Sequence, residues 1–328
     1  SGGVVDTKVY QELFPYLNSK DYFTVYPTFI QWMNRTALLI GGGNTTGFLL
    51  TLRTFHLIAD IISFLVIYKL NEKSGMRKGL AWWYVLNPLL IVECTGNLHY
   101  EGIAISLILI SIVFTGKKLL ASSVSLSSSI LVKLNPALLL PLLFRTWDLR
   151  RGLGFFFITL AISMSVLFIG FGEDAMNLKN SISLYFQSFE FNAGPYYLVR
   201  QLGQWIAGYN AIAVVGPILS LVALIIILLI AHRSDSTSHK AIINSAFLSY
   251  LTYILLSTTI HPWYILYLLA LGILTRWRAV AIIWSFTVVF SYSHYWGGDL
   301  GPKWGWVISE YMILLLSFYI LHRKQKIH

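Results

Sequence analysis

Long apolar stretches separated by short polar turns run through most of this chain. Residues 211–231 read AIAVVGPILSLVALIIILLIA, and comparable runs lie at 47–70 and 152–171. About 18 consecutive apolar residues are enough for a helix that crosses a bilayer. The pattern therefore predicts an all-α, polytopic bundle of transmembrane helices, and it argues against a soluble protein with buried helices.

The composition supports this prediction. The chain has 328 residues, of which 56% are hydrophobic and 12% are charged, whereas a soluble domain carries about 25% charged residues. One cysteine, Cys94, excludes a disulfide framework and any multi-cysteine metal site. We expect Cys94 to be a small buried apolar residue.

The positive charge of the chain follows the predicted topology. The net charge is +10, and most basic residues lie in every second loop, including Lys117–Lys118, Arg150–Arg151 and Arg323–Lys324. Cytoplasmic loops of membrane proteins carry such an excess of Lys and Arg. The surplus therefore indicates orientation and contact with membrane lipids, and it gives no reason to expect a nucleic-acid partner.

These loops define about eleven membrane legs with the C-terminus in the cytoplasm. The stretch 119–145 connects two basic loops, so it must go out and back as two short legs that break near Lys133–Pro136. The other legs are 47–70, 79–94, 101–115, 152–171, 211–232, 241–258, 262–275, 279–295 and 306–322.

We expect residues 1–328 to form a single integral membrane domain with two outer segments. Residues 1–46 would be the remainder of a first outer loop, and FIQWMNRTALLI (29–40) would lie in the outer interface because it is apolar, short and contains Arg35. The second outer segment, 172–210, would be amphipathic. We further expect a span and part of the first loop to precede the sequence given.

The motif NLHYEG (97–102) lies at the tip of an outer turn between two apolar legs. Glu101 could cap the next helix, since an acid suits a helix N-terminus. That explanation does not account for His99 beside it. We therefore consider both residues candidates for the functional site.

The motif IHPWY (260–264) begins an inward leg, and it also lies on the outer side. Proline is well suited to the first helical position, which would leave His261 at the outer boundary. Trp263 and Tyr264 fit either a binding site or the aromatic belt of the interface.

Two sets of charged residues lie within the apolar legs. Lys133 lies in the break of the short hairpin, where a cation could hold a lipid phosphate or extend to the interface. Arg53, His56 and Asp60 share one helix face, which predicts a buried ion pair with a bridging histidine. This second set fits helix packing and function equally well.

The aromatic segment 181–205 is too polar to span a membrane. It is compatible with an interfacial helix, with a groove at the membrane surface, or with both. Its candidate binding residues are Glu190, Asn192, Tyr196, Tyr197 and Arg200.

Five motifs taken together resemble the multi-span glycosyltransferases of the GT-C type. The chain is most similar to the bacterial mannosyltransferases that depend on polyprenol-phosphate-mannose. The motifs are NSKDYFTVYPTFIQ (18–31), NLHYEG (97–102), ILVKLNPALLLPLLF (130–144), FEFNAGPYYLVR (189–200) and HPWYILYLL (261–269).

The resemblance implies a bundle of about a dozen helices in the bacterial inner (plasma) membrane. Such enzymes transfer a sugar, here a hexose that we take to be mannose, from a polyprenyl-phosphate donor to a glycan or lipid acceptor. The active site would face the periplasm or exterior.

The family pattern places a catalytic acid in the first outer loop, upstream of a Tyr-Pro-Pro-like motif. This chain has no matching Trp-Asp-Gly-like segment, and Thr28 replaces the second proline after Tyr26. Asp6 and Asp21 are the remaining aspartates of that loop. We include Asp21 among the catalytic candidates and Tyr26 among the binding candidates.

The chemistry of such a transfer assigns roles to the other candidates. Lys133 and Arg200 would hold the phosphate, which is already a good leaving group. His99, Glu101 and His261 would bind the sugar or activate the acceptor hydroxyl. Direct displacement inverts the anomeric centre. The outer carboxylates leave a divalent metal open as a cofactor, but their spacing shows no ligand set.

Two other classes of protein remain open. A transporter or flippase for a lipid-linked or small polar substrate would use intramembrane Arg53, Asp60 and Lys133. However, no internal repeat is visible, and most polar residues lie on one side. A structural subunit would tolerate joint replacement of His99, Glu101 and His261.

Overall fold

The computed structural model describes residues 11–12, 14–16, 26–171, 189–235, 237–298 and 301–327. Within these ranges the chain forms fourteen α-helices, joined in places by 3-10 or π-helical turns, and no β-strand. The all-α prediction is therefore confirmed. The helices are α1 (Thr28–Ile40), α2 (Thr45–Lys73), α3 (Trp82–Val85), α4 (Pro88–Leu90), α5 (Glu101–Phe114), α6 (Leu119–Val132), α7 (Leu140–Phe144), α8 (Leu149–Phe171), α9 (Gly194–Ala207), α10 (Ile212–Arg233), α11 (His239–Leu255), α12 (Ile265–Gly272), α13 (Arg278–Thr287) and α14 (Trp304–Ile327).

Four described helices are long and apolar enough to cross a membrane: α2, α10 and most of α8 and α14. Helix α2 has 29 residues, a length of about 43 Å at 1.5 Å per residue. Many apolar side chains of these helices point away from the protein, and Val214 of α10 and Phe168 of α8 are 58% and 76% exposed. Lipid is the environment that suits such faces, so the chain is an integral membrane protein.

A bent pair adds at most one further span. A π-helical turn continues α4 to Gly96, and Pro88–Gly96 meets α5 at an angle of 110°. The other predicted legs correspond to helices of 17 residues or fewer, and the chain leaves the helical conformation near Lys133 and before Pro262. The topology of about eleven legs therefore stays a prediction.

Helices α1 and α9 have one apolar face turned away from the bundle. Leu39 of α1 is 73% exposed and Ile206 of α9 is 87% exposed, while Ile30 of α1 and Tyr196 of α9 are buried. This amphipathic pattern is typical of helices that lie in a membrane interface. The rest of the two predicted outer segments, at 1–10, 13, 17–25 and 172–188, lies outside the described residues.

Helix α5 lies at the centre of the bundle. It packs against α2 and α6 on one side and against α11 and α12 on the other, and its Ala104, Leu109 and Ile112 are fully buried. Its central position brings the loop before α5 close to the loop before α12. These two loops carry NLHYEG and IHPWY.

The predicted ion pair between Arg53 and Asp60 does not form. His56 and Asp60 are buried, whereas Arg53 is exposed, and the His56 ring nitrogen Nδ1 lies 2.8 Å from the Leu52 carbonyl oxygen. Side chains of a helix lean toward its N-terminus. Arg53 lies nearly one turn closer to that end than His56, so its guanidinium extends out of the bundle.

Candidate active site

The candidate site lies where three helix ends meet. Helix α5 begins at Glu101, α6 ends before Lys133, and the 3-10 turn Pro262–Tyr264 leads into α12. Lys133 has extended backbone angles, with φ −147° and ψ 144°. Non-helical backbone at membrane depth is tolerated where it is buried in protein or lines a cavity. These three breaks therefore provide places for polar side chains inside the bundle.

Lys133 and Glu101 form an ion pair in the centre of this site. The Glu101 side chain is fully buried, and that of Lys133 is 16% exposed. The ammonium group of Lys133 lies 5.5 Å from the ring centroids of both Tyr26 and Tyr264. Glu101 is thus the partner of a buried cation as well as the first residue of α5. Its second oxygen, Oε2, has no hydrogen-bond partner among the described residues.

Asn97 and His99 both contact a second carboxylate, that of Glu93. The amide of Asn97 donates to Glu93 Oε2 at 3.2 Å, and His99 Nε2 lies 3.5 Å from the same oxygen. Glu93 lies on the π-helical turn, a distortion that is common at functional sites. Leu98 between the two residues has φ of 61°, which is uncommon for a residue with a side chain. The loop holds His99 beside an acid.

Aromatic rings join this loop to IHPWY. The His99 and His261 rings both stack on Trp263, with centroid distances of 3.7 Å and 4.3 Å. The Phe191 ring also lies beside His261, with a distance of 4.8 Å between the ring centroids. Burial lowers the pKa of His261 to about 3, with a further contribution from the positive charge of Lys133. His261 is therefore neutral at pH 7.

The close packing around position 102 explains why the NLHYEG motif ends in glycine. A Cβ atom at this position would lie 2.6 Å from Asp60 Oδ1 and 3.2 Å from Cys94 Sγ. The missing side chain allows α5 to approach α2 and the π-helical turn closely. Cys94 is fully buried, as predicted.

A second polar cluster surrounds the ion pair between Glu190 and Arg200. The Asn210 amide donates to Glu190 Oε2 at 3.3 Å, and the Tyr196 hydroxyl donates to Asn210 Oδ1 at 3.1 Å. The Arg200 guanidinium lies 4.9 Å from the Tyr197 ring centroid. Burial, and next the charge of Glu190, raise the pKa of Tyr197 to about 12. Tyr197 is therefore protonated at neutral pH.

The backbone of Phe191 connects the two clusters. Its N–H donates to the Thr258 carbonyl at 3.1 Å, and its carbonyl accepts from the Ile260 N–H at 2.7 Å. Because Phe191 follows Glu190 and Ile260 precedes His261, these bonds place the second cluster beside the first.

Asn192 lies apart from both ion pairs. Its amide donates to Glu310 Oε2 at 3.0 Å, and the Trp284 indole donates to Glu310 Oε1 at 2.8 Å. Asn192 has φ of 48° and is fully buried. The structure thus directs this predicted binding residue toward α13 and α14, where it links helices.

The structure brings most of the predicted site residues together in one group, and one predicted residue lies outside the part of the chain that it describes. The central group comprises Tyr26, His99, Glu101, Lys133, His261, Trp263 and Tyr264. Asp21 lies outside the described residues. Among the residues described, no three His, Cys, Asp or Glu side chains converge as a metal site would require.

Sequence reasoning did not anticipate Asn97, Asn210 and Phe191 as members of the site. Asn97 could have been inferred from its position two residues before His99 in the same motif. Asn210 and Phe191 carry no local signal, because their roles depend on contacts with residues that are 14 or more positions away.

The fold and the site define an integral membrane protein with a buried polar centre at helix breaks. Intramembrane ionisable residues usually mark functional sites, and paired acids, histidines and cations are the groups used in group transfer.

The family comparison supports one kind of group transfer. The family model described as MptA_B family, alpha-(1->6)-mannopyranosyltransferase, N-terminal domain, matches residues 21–148. This confirms the resemblance to mannosyltransferases inferred from the motifs and supports a function in mannosyl transfer. The match includes Glu93, His99, Glu101 and Lys133 and ends before the second polar cluster. No curated protein matches the chain.

Proposed function

We propose that this protein transfers mannose from a polyprenyl-phosphate carrier to an acceptor at the non-cytoplasmic face of the membrane, with inversion at the sugar. The observation that carries the proposal is the buried pair of Glu101 and Lys133 at a helix break, in the part of the chain that is similar to a mannosyltransferase domain.

Lys133 is the group proposed to bind the phosphate of the donor. It is a cation at membrane depth, and its partly exposed side chain lies between the Glu101 carboxylate and two tyrosine rings. A preorganised cation stabilises the negative charge that develops on the departing phosphate. Glu101 has no exposed surface, so we assign it a positioning role through Lys133 rather than direct contact with the substrate.

His99 is the group proposed to face the acceptor. It is more exposed than Glu101, at 22% of its side chain, and the Glu93 carboxylate 3.5 Å away orients its ring. Burial, and next the positive charge of Lys133, lower the pKa of His99 to about 3, so its ring is neutral at pH 7 and can accept a proton. Asp21 is retained as a further candidate base in the first outer loop.

The reaction we propose is a single displacement at the anomeric carbon. An acceptor oxygen forms a bond to that carbon as its bond to the phosphate oxygen breaks, and the acceptor proton passes to the base. The lipid phosphate departs as a monoester. The family description names α-(1→6) transfer, so we take the product linkage to be α and the attacking group to be a primary hydroxyl on a mannose-containing acceptor. Inversion then requires a β-linked donor.

The second polar cluster is proposed to extend the same site. Arg200 would contact the donor phosphate or the sugar, and the buried Tyr196 and Tyr197 would hold it in position. Trp263 would hold His99 and His261 in place beside the substrate, because both histidine rings stack on it.

The proposal is tested by transfer in proteoliposomes. The full chain is supplied with radiolabelled polyprenyl-phosphate mannose and a short α-mannoside acceptor, and the product is digested with a linkage-specific mannosidase. We expect wild type to form an α-(1→6) product. The double variant Glu101→Gln/Lys133→Gln, which leaves no buried charge unpaired, is expected to lose at least 100-fold in kcat.

The matched control removes an equivalent ion pair from the surface. Glu72 and Lys78 form such a pair with side chains that are about half exposed, and Glu72→Gln/Lys78→Gln should keep wild-type activity. Equal activity in both double variants would contradict the assigned site. Absence of product with every lipid-linked hexose, together with flux of label across the bilayer, would support a transporter instead.

A further inference from the structure

A basic cavity lies at the opposite end of the bundle from the candidate site. Its volume is about 520 Å³, within the range of known ligand pockets. It is lined by the last turns of α2, the turn between α5 and α6, and the start of α11. The lining residues that carry the argument are Lys69, Lys73, Lys117, His239 and Lys240.

The cavity is well separated from the site proposed for sugar transfer. Glu101 begins α5, and Lys117 follows its other end. The helix between them has 14 residues, which places the two regions about 20 Å apart at 1.5 Å per residue. The cavity is therefore not part of the catalytic machinery.

Four lysines line this cavity without an acidic neighbour. None of its lining residues is Asp or Glu. The nearby carboxylates have other partners, since Glu72 pairs with Lys78 and Asp235 accepts from the Thr237 N–H and hydroxyl. Among the described residues, no ion pair involves any of the four lysines. Like charges held together in this way favour an anionic ligand.

The start of α11 adds a second group of positive partial charges. Ser238, His239 and Lys240 open this helix of 17 residues against the cavity, and the side chain of the N-cap Ser238 makes no hydrogen bond to the helix. A helix N-terminus binds phosphate through its free N–H groups and its dipole. The pKa of His239 is lowered first by burial and then by the charge of Lys117, with Lys73 contributing as well. The charges of Lys117 and Lys73, which belong to two different elements, therefore both act at the start of α11.

Apolar residues complete the lining. Val66 and Leu70 of α2 and Val113 of α5 share the cavity with the lysines. Lys69 and Lys73 lie in the last turns of a membrane-spanning helix, which is the depth of lipid headgroups. An amphipathic anion fits this mixed lining better than a fully hydrated one.

We propose that this cavity is a binding site for the phosphate headgroup of an anionic phospholipid of the leaflet opposite the candidate active site. Basic pockets between helices on the cytoplasmic side are a known mode of headgroup recognition. The bound lipid would connect α2, the α5–α6 turn and α11, and it would offset the repulsion among the lysines. This inference does not depend on the proposed transfer reaction.

The test uses the delipidated full chain and two lipids that differ in charge. Binding of dioleoyl phosphatidylglycerol and dioleoyl phosphatidylcholine is counted by native mass spectrometry, and the Tm is measured with each. We expect a tenfold or greater preference for phosphatidylglycerol and a rise in Tm with that lipid alone. Equal binding of both lipids to wild type would overturn the proposal, and this arm requires no variant to fold.

Neighbouring lysines provide a matched comparison. The double variant Lys73→Gln/Lys117→Gln should lose at least tenfold in affinity for phosphatidylglycerol. Lys118→Gln, which removes a charge from the adjacent position outside the cavity lining, should lose less than twofold. If removal of each lysine lowers the affinity by the same factor, whether or not that lysine lines the cavity, the lipid is held only by general surface attraction. A further arm adds inorganic phosphate, and binding of phosphate without binding of phosphatidylglycerol would reject a lipid as the ligand.

Discussion

At the residue scale, the site depends on charged groups that are buried with their partners. Glu101 is fully buried and the Lys133 side chain is 16% exposed, and the rings of Tyr26 and Tyr264 beside Lys133 are partly buried. A buried pair contributes little net stability, but the loss of one member leaves the other uncompensated. The retention of such a pair at a helix break is better explained by its chemistry than by packing.

The first prediction concerns this pair. Lys133→Gln should destabilise the protein by about 3–5 kcal/mol, because Glu101 is left buried without a cation. The double variant Glu101→Gln/Lys133→Gln should recover part of that loss. Thermal and denaturant unfolding in detergent measure both effects. If the changes in unfolding free energy caused by Glu101→Gln and by Lys133→Gln add up to that of the double variant, the two side chains do not interact.

The second prediction concerns pH and His261. The pKa of His261 is about 3 in the folded protein, well below its ordinary value of 6.5. Between these values the unfolded chain binds the extra proton at this group, so the stability that His261 contributes falls as pH falls below about 6.5. At pH 5.5 the loss from this group is about 1 kcal/mol relative to neutral pH.

Unfolding curves at pH 7.5 and 5.5 test this expectation. His261→Gln should show a smaller decrease in stability than wild type over that interval. His322→Gln, a substitution at an exposed position of α14, should keep the wild-type dependence. A decrease in His261→Gln that equals the wild-type one would mean that His261 does not contribute to it.

At the element scale, the function of NLHYEG is to end one helix arm and to begin the next at close range. The bend of 110° between Pro88–Gly96 and α5 turns Glu93, His99 and Glu101 toward the same interior region. Gly102 then permits α5 to contact α2. The motif is therefore a packing device and a carrier of polar groups at once.

The third prediction follows from this contact. Gly102→Ala should destabilise the protein by about 1–3 kcal/mol, since overpacking forces Asp60 and Cys94 to move. Gly203→Ala is the control. Position 203 lies inside α9 with no atom within 4 Å of an added Cβ, so alanine should be neutral or stabilise by up to about 1 kcal/mol. Unfolding measurements compare the two, and equal effects would contradict the close approach seen at Gly102.

At the scale of the whole molecule, the polar groups divide between two ends of the bundle. The paired acids, histidines and aromatic rings gather around the starts of α5 and α12, and the lysine-lined cavity lies at the other end of α5. A basic end is the one that remains in the cytoplasm. This arrangement is the basis for placing the proposed reaction on the outer face.

The fourth prediction tests that orientation by labelling in intact bacterial cells. Tyr209, between α9 and α10, and Lys118, between α5 and α6, are both exposed. Tyr209→Cys should react with a membrane-impermeant maleimide from outside, and Lys118→Cys should react only after permeabilisation. The wild type reports on background, because its one cysteine is buried. Labelling of both variants from one side would reject the topology.

Much of the element pattern could be predicted from the sequence, because helix formation depends on local periodicity. The apolar runs at 47–70, 152–171 and 211–232 became α2, α8 and α10 with ends shifted by only a few residues. Predictions of which side chains contact each other were less secure. The Arg53–Asp60 pair was wrong, and Asn192 proved to contact Glu310, 118 positions away.

The sequence by itself determined the helices, the helix breaks, the residue types gathered at those breaks and the similarity to a mannosyltransferase family. Only the tertiary structure decided the partners: Glu101 with Lys133, 32 positions apart, and His99 with Trp263. The physical reason is that periodicity and capping act within a few residues of one chain segment. Contacts between helix ends instead depend on how every helix packs, and on single positions such as Gly102 that set how closely two helices approach.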